Sequence, residues 1–207
     1  SANALNENNV DIVAHIFKVI NKLVIELGIS EKGYRIVNNC GEDGGQPLSI
    51  HFLETDAEAK LYRGEGSLHE WYEKVGFECD FLHYGSPAER IVASTQSERR
   101  LLLVHNCAIS AQDVKIITSH FTSPVSWVLC PRSNAYISGI EPSAVELLRS
   151  FGDNINICIG TDSLASNRSL SMVEELKMFG DMPLEELLRW ATINGARALG
   201  IEDRYGS

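Results

Sequence analysis

The sequence predicts an α/β fold: a parallel sheet built from repeated strand–helix units. Two observations carry this. Four short apolar runs, Leu48–Phe52, Leu101–His105, Trp127–Cys130 and Ile155–Gly160, recur along the chain, dense enough in apolar residues for strands covered on both faces. Between them, Ser or Thr followed three residues later by Glu marks helix starts at Thr55/Glu58, Ser67/Glu70, Ser86/Glu89, Ser143/Glu146 and Ser171/Glu174, with Ser110/Asp113 a weaker version. Strands alternating with capped helices give parallel strands joined by right-handed crossovers.

The chain begins with a polar stretch, residues 1–9, and then an amphipathic helix. Ile12, Val13, Ile16, Phe17, Ile20, Leu23, Val24 and Leu27 recur at three- and four-residue steps, and Gly28 stands where such a helix stops. Tyr34–Asn38 reads as a strand and Cys40–Gln46 as a glycine-rich turn. Past Pro47 the strand–helix alternation takes over. Additional helices between Glu54 and Leu101, with Trp71 and Tyr72, read as an insertion over the strand ends, where Trp71 packs. Pro183–Leu199 reads as one closing amphipathic helix through Leu184, Leu187, Leu188, Trp190 and Ala191.

The strand ends carry the chemistry. The first ends in His51 and Glu54, the second in His105, the third in Cys130-Pro-Arg-Ser-Asn134, and the fourth presents Asp162 just past Gly160. Asp at such a position often only caps a turn, and a lone His is more often a satisfied core or surface residue than a ligand. Three strand ends of the same character point instead to a shared site, since open parallel sheets and barrels place their chemistry at carboxyl ends. Imidazole plus carboxylate, as in His51 and Asp162, is an ordinary N/O donor set for zinc or iron.

Composition bounds the functions. The chain has 207 residues, 44% hydrophobic and 22% charged, with a formal charge of −10 that disfavours nucleic acid and anionic membranes as partners. Five cysteines, odd in number and without Cys-x-x-Cys spacing, fit reduced thiols and a cytoplasmic location. No apolar run reaches transmembrane length and no signal-peptide pattern opens the chain, so a membrane role is not expected.

His51-Phe-Leu-Glu54, Leu-Leu-Val-His105, Cys-Pro-Arg-Ser-Asn134, Gly-Thr-Asp162-Ser-Leu-Ala-Ser-Asn167 and Ala191 through Gly200 arrive in the order of a known family. Residues 47–207 resemble the C-terminal half of an amidohydrolase-superfamily barrel, closest to the cytosine deaminase, guanine deaminase and triazine chlorohydrolase branch. The resemblance implies a partial (β/α) TIM-barrel-like sheet and a metal-dependent hydrolase, a deaminase acting on C–N bonds of a purine- or pyrimidine-like N-heterocyclic substrate. It implies a divalent metal, zinc or iron, on His51 and Asp162. Glu54 is the acid that protonates the ring nitrogen or leaving group, His105 orients and deprotonates the attacking water, Asp162 also accepts a proton, and Asn134 contacts substrate.

Residues 1–46 are similar to something else. Asp11 through Lys18 and Gly33 through Gln46 resemble the middle of a histidine-triad (HIT) nucleotide-binding protein, a helix–strand segment whose His-x-His-x-His is absent here. Two domains are therefore expected, 1–46 and 47–207, joined at Gln46/Pro47. The amidohydrolase resemblance also implies four preceding βα units and a His-x-His pair on a first strand, and no His-x-His occurs in the chain. The tail, Gly200 to Ser207, stops where the family continues. The expectations that follow are a weakly held metal, negligible turnover and self-association through exposed barrel edges. The alternatives are a HIT-type nucleotide-binding fragment and a non-catalytic chimera.

Overall fold

The computed structural model describes residues 10–26, 47–139 and 144–205, apart from the side chain of Asp80. The chain divides into two units, residues 1–46 and 47–207. In the first, helix α1 spans Asp11–Glu26, as the three- and four-residue spacing predicts. Val24 is buried, whereas Ile12, Ile16, Phe17 and Ile25 are exposed. Gly28, the strand expected at Tyr34–Asn38 and the glycine-rich 40–46 turn lie outside the described residues.

The second unit is a four-stranded sheet in the order β1-β2-β3-β4, with every neighbouring pair parallel. The strands are β1 (Leu48–Phe52), β2 (Leu101–His105), β3 (Val125–Leu129) and β4 (Asn156–Ile159), each within two residues of its sequence expectation. Phe52 is in register with His105, and Leu129 with Ile159. All four carboxyl ends therefore lie along one edge of the sheet.

Helices connect the strands. After β1 come α2 (Asp56–Leu61), α3 (Gly66–Val75), a 3-10 turn at Asp80–Tyr84 and α4 (Pro87–Ser94). Between β2 and β3 runs α5 (Ala111–His120), and between β3 and β4 run α6 (Pro131–Ser138) and α7 (Ala144–Arg149). After β4 come α8 (Met172–Leu176), α9 (Leu184–Ala191) and α10 (Ile193–Leu199). Leu101, Leu103, Trp127, Leu129, Ile157, Val114, Ile117 and Leu148 form the centre of one buried cluster. β1, by contrast, leaves Leu48, Ser49 and His51 exposed.

Caps depart from the sequence reading in an instructive way. Ser86 and Ser171 accept from the backbone of Glu89 and Glu174 as expected. The weaker pair Ser110/Asp113 is the fully reciprocal capping box: Ser110 N–H donates to Asp113 Oδ2 at 2.9 Å and Asp113 N–H to Ser110 Oγ at 3.2 Å. Thr55 precedes α2 without a side-chain cap bond, and α3 begins after Glu65 rather than at Ser67. Glu58 turns back instead, its Oε2 accepting from Glu54 N–H at 3.1 Å. Ser143 lies outside the described residues.

The predicted closing helix 183–199 is two helices, broken at Thr192, whose φ of −125° and ψ of −90° leave the helical region. The break lets Asn194 enter the interior, where its Nδ2 donates to Ile157 O at 2.8 Å and its carbonyl accepts from Asn156 Nδ2 at 3.1 Å. Tertiary hydrogen bonds to β4 thus replace one turn of continuous helix.

Candidate metal centre and proton-transfer site

The carboxyl edge of the sheet is also where backbone strain collects. Among the described residues the non-glycine residues with positive φ are Leu53 (47°), His105 (79°), Asn106 (60°) and Asp162 (56°). All four follow or end a strand. Left-handed backbone costs an L-residue about 1–2 kcal/mol and persists where surrounding bonds over-determine it. At His105 and Asn106 those bonds are visible: Asn106 N–H donates to Phe52 O at 3.0 Å, and Asn106 Nδ2 to Leu103 O at 2.8 Å and Val128 O at 3.2 Å. The turn swings the His105 ring back across the strand ends.

There it meets His51 and Glu54. His105 Nε2 lies 3.3 Å from His51 Nδ1 and 3.7 Å from Glu54 Oε1, and His51 Nδ1 lies 3.8 Å from Glu54 Oε2. One ligand atom from each of these three residues falls within 4.8 Å of the others. His105 is completely buried, while the His51 side chain is 63% exposed, so the cluster opens to solvent on the His51 side.

The other ring nitrogen of His105 is taken. Nδ1 lies 2.7 Å from Asn134 Oδ1, and an amide oxygen only accepts, so Nδ1 carries the proton. Nε2 therefore presents a lone pair towards His51 and Glu54. Two imidazoles and a carboxylate facing one another make a donor set that suits a divalent cation.

Asn134 itself is only 2% exposed and sits behind His105. Its carbonyl oxygen faces the imidazole and orients the ring.

Asp162 is held by two hydroxyls: Ser133 Oγ donates to its Oδ2 at 2.7 Å and Ser166 Oγ at 2.5 Å. Partial burial pushes its carboxyl up, but the Ser166 and Ser133 hydroxyls, the nearby His105 and the Ser163 backbone N–H outweigh it. The balance holds Asp162 below the usual carboxylate range. It therefore stays ionised beside His105, on the same sheet edge as the three-donor group.

Ser133, Ser166 and Asn167 escaped the sequence reading as partners. Ser166 follows Asp162 by four residues, a spacing that hints at contact only once a turn is assumed. Ser133 comes from the previous strand–helix unit and carries no local signal. Near Asp162 a cleft of about 820 Å³ is lined by Arg132, Tyr136, Leu164, Ser166, Asn167 and Arg168. A second cleft of about 740 Å³, lined by Arg100, Asn156, Arg189 and Asn194 among others, sits at the amino ends of the strands and shares no residue with the cluster.

A family model described as "Amidohydrolase family" matches residues 28–207, beginning upstream of Pro47. A 5-methylthioadenosine/S-adenosylhomocysteine deaminase of Teredinibacter turnerae is 33% identical over 173 residues, 77% of this chain and 36% of its own length. An adenosine deaminase of Helicobacter pylori is 31% identical over 175 residues, 81% of this chain and 42% of its own. The crystal structure of Helicobacter pylori aminofutalosine deaminase superposes with a TM-score of 0.66 at 31% identity, covering 80% of this chain and 42% of that one. An adenosine deaminase from Xanthomonas campestris with bound zinc gives 0.57 at 27% identity, covering 78% and 34%. The chain thus spans well under half the length of the relatives it matches.

Proposed function

The chain belongs to the amidohydrolase family, and from that premise we propose that its carboxyl-edge cluster is the centre of a metal-dependent deaminase acting on a purine-like ring. The observation that carries this reading is the meeting of His51, Glu54 and His105 within 4.8 Å, on the sheet edge that also carries Asp162. The names of the relatives, deaminases of adenosine-type compounds, favour an adenosine-like substrate over a pyrimidine.

His51 and Asp162 would hold a divalent metal, zinc or iron. When bound, such an ion lowers the pKa of water towards neutrality and makes hydroxide available for hydrolysis. The protein's own groups do the rest. His105, its Nδ1–H fixed by Asn134, offers Nε2 to take a proton from the attacking water as the oxygen bonds to the amine-bearing ring carbon. Glu54, 24% exposed on the solvent-facing side, delivers a proton to the ring nitrogen. Asp162 carries the remaining water proton to the amine, which leaves as ammonia while the ring carbon becomes a carbonyl. The proton taken by His105 then passes to Glu54, 3.7 Å away, restoring both groups, so that net one water is consumed and one ammonia released.

The test is zinc titration of the purified chain against a chromogenic chelator, followed by ammonia release from adenosine and methylthioadenosine. Zinc bound in the titration by the wild type, weakly but more tightly than by His51→Ala or Asp162→Ala, with any ammonia release lost in Glu54→Gln, is the expected outcome. Failure of the wild type to take up zinc or iron, or ammonia release indifferent to Glu54→Gln, rejects the reading.

A further inference from the structure

The most deeply buried carboxylate of the site region is one the chemistry above does not use. Glu175, on α8, is completely inaccessible to solvent. Its Oε2 accepts from the backbone N–H of Arg132 at 3.0 Å, and its Oε1 accepts from Asn167 Nδ2 at 2.6 Å. A buried carboxylate is costly unless its oxygens are satisfied. These are satisfied by two segments that both carry site residues.

The first is α6. Its N-cap, Cys130, makes no side-chain cap bond, so the Arg132 N–H is one of the orphan donors of the first turn. Glu175 supplies the cap from another part of the chain, its Oε2 accepting at the N-terminal end of the helix. The next two residues of α6 are Ser133, which donates to Asp162, and Asn134, which accepts from His105.

The second is the loop after β4. Asn167 Nδ2, besides reaching Glu175, donates to Thr161 O at 2.8 Å, and Thr161 immediately precedes Asp162. Arg132 adds a brace from its other end, Nη1 donating to Ser169 Oγ at 2.9 Å.

We propose that Glu175 is the positioning residue of this centre: one buried carboxylate clamps α6 to the Asp162 loop, so that Ser133 and Asn134 stay in register with Asp162 and His105. The inference rests on the reading of the cluster as a metal-dependent deaminase centre. Its structural content can be read without activity.

The decisive variant is Glu175→Gln, which keeps the shape but has one acceptor oxygen for two donors, so one arm of the clamp is lost. Two readouts follow. In protein labelled with ¹⁵N-histidine, the Nδ1–H of buried His105, bonded to Asn134, gives a slowly exchanging downfield proton resonance in the wild type. That resonance broadens or disappears in Glu175→Gln. Zinc affinity falls about tenfold, the lower end of what outer-shell partners of metal ligands contribute. Because Glu175 acts through Ser133 and Asn134, adding Glu175→Gln to a Ser133→Ala, Asn134→Ala variant costs no further zinc affinity, to within about twofold.

A folded Glu175→Gln protein with the His105 resonance unmoved, or losses that multiply when Glu175→Gln is added to the Ser133→Ala, Asn134→Ala variant, overturns the proposal. Should Glu175→Gln fail to fold, Asn167→Ser, which cuts only the arm to β4, decides by the same two readouts. A wild type that takes up no metal rejects the functional reading alone, and the His105 resonance then judges the clamp by itself.

Discussion

His105 and Asn134 meet at 2.7 Å between Nδ1 and Oδ1, both out of reach of solvent, although 29 residues separate them. The contact links the end of β2 to the first turn of α6 and decides which nitrogen of His105 is protonated. A buried ring has no water to fall back on, so its orientation depends on Asn134 at one nitrogen and on His51 at the other.

Asn134→Ala therefore strands a buried N–H, at about 1–3 kcal/mol, and frees the tautomer of His105. The expected result is a lower urea midpoint with unchanged slope, together with loss of zinc affinity or turnover of about 10–100-fold. An Asn134→Ala protein equal to wild type in both places the imidazole's support elsewhere.

Asp162 sets a pH dependence. Its folded-state value lies below its ordinary one, so its contribution to stability is present above the unfolded value of ~3.9 and is lost as pH falls through the lowered folded value. Ser133→Ala and Ser166→Ala each remove a donor to the ionised form and move the Asp162 midpoint upward. Carboxyl ¹³C titration of metal-free protein reads this directly, and a midpoint that falls in either variant contradicts the assignment.

Caps separate the structure from the sequence pattern. Ser110→Ala removes the hydroxyl half of a capping box, leaving the backbone half from residue 110 N–H to Asp113 Oδ2, and costs about 1 kcal/mol, within the 0.5–2 kcal/mol range of such losses. Thr55→Ala, at a hydroxyl that makes no cap bond, changes stability by less than about 0.5 kcal/mol. Chemical denaturation of the two variants side by side measures the contrast. Equal losses would mean that Thr55 caps α2 after all.

Three thiols are expected to be inert. Burial pushes Cys130 and Cys158 up to about 12 and Cys107 up to about 11, so none is a thiolate near neutrality. Iodoacetamide at pH 8, followed by peptide mass spectrometry, labels Cys79 well before Cys130 or Cys158 in native protein. In denaturant the difference vanishes. Early native labelling of Cys130 would mean that the strand end next to Asp162 opens readily.

Much of this was written locally. Alternating apolar runs and Ser-x-x-Glu spacings encode strands and helix starts within a few residues, so the four parallel strands and their order of appearance follow from the sequence itself. The strand-end positions of His51, Glu54, His105 and Asp162 follow as well, because a strand's period places its last residue at the sheet edge wherever the sheet lies. The break at Thr192 was not legible: the amphipathic pattern runs through it, and it is Asn194 bonding to β4 that makes two helices better than one.

Only the tertiary structure decided what each site residue touches. Asn134 supports His105, Ser133 donates to Asp162, and Glu175 has two partners, one of them 43 residues away in sequence. Parallel crossovers bring such residues together, and no short-range pattern records the pairing. A buried hydrogen bond is specified by where two elements come to rest against each other, which is a property of the packed sheet and its helices rather than of either segment alone.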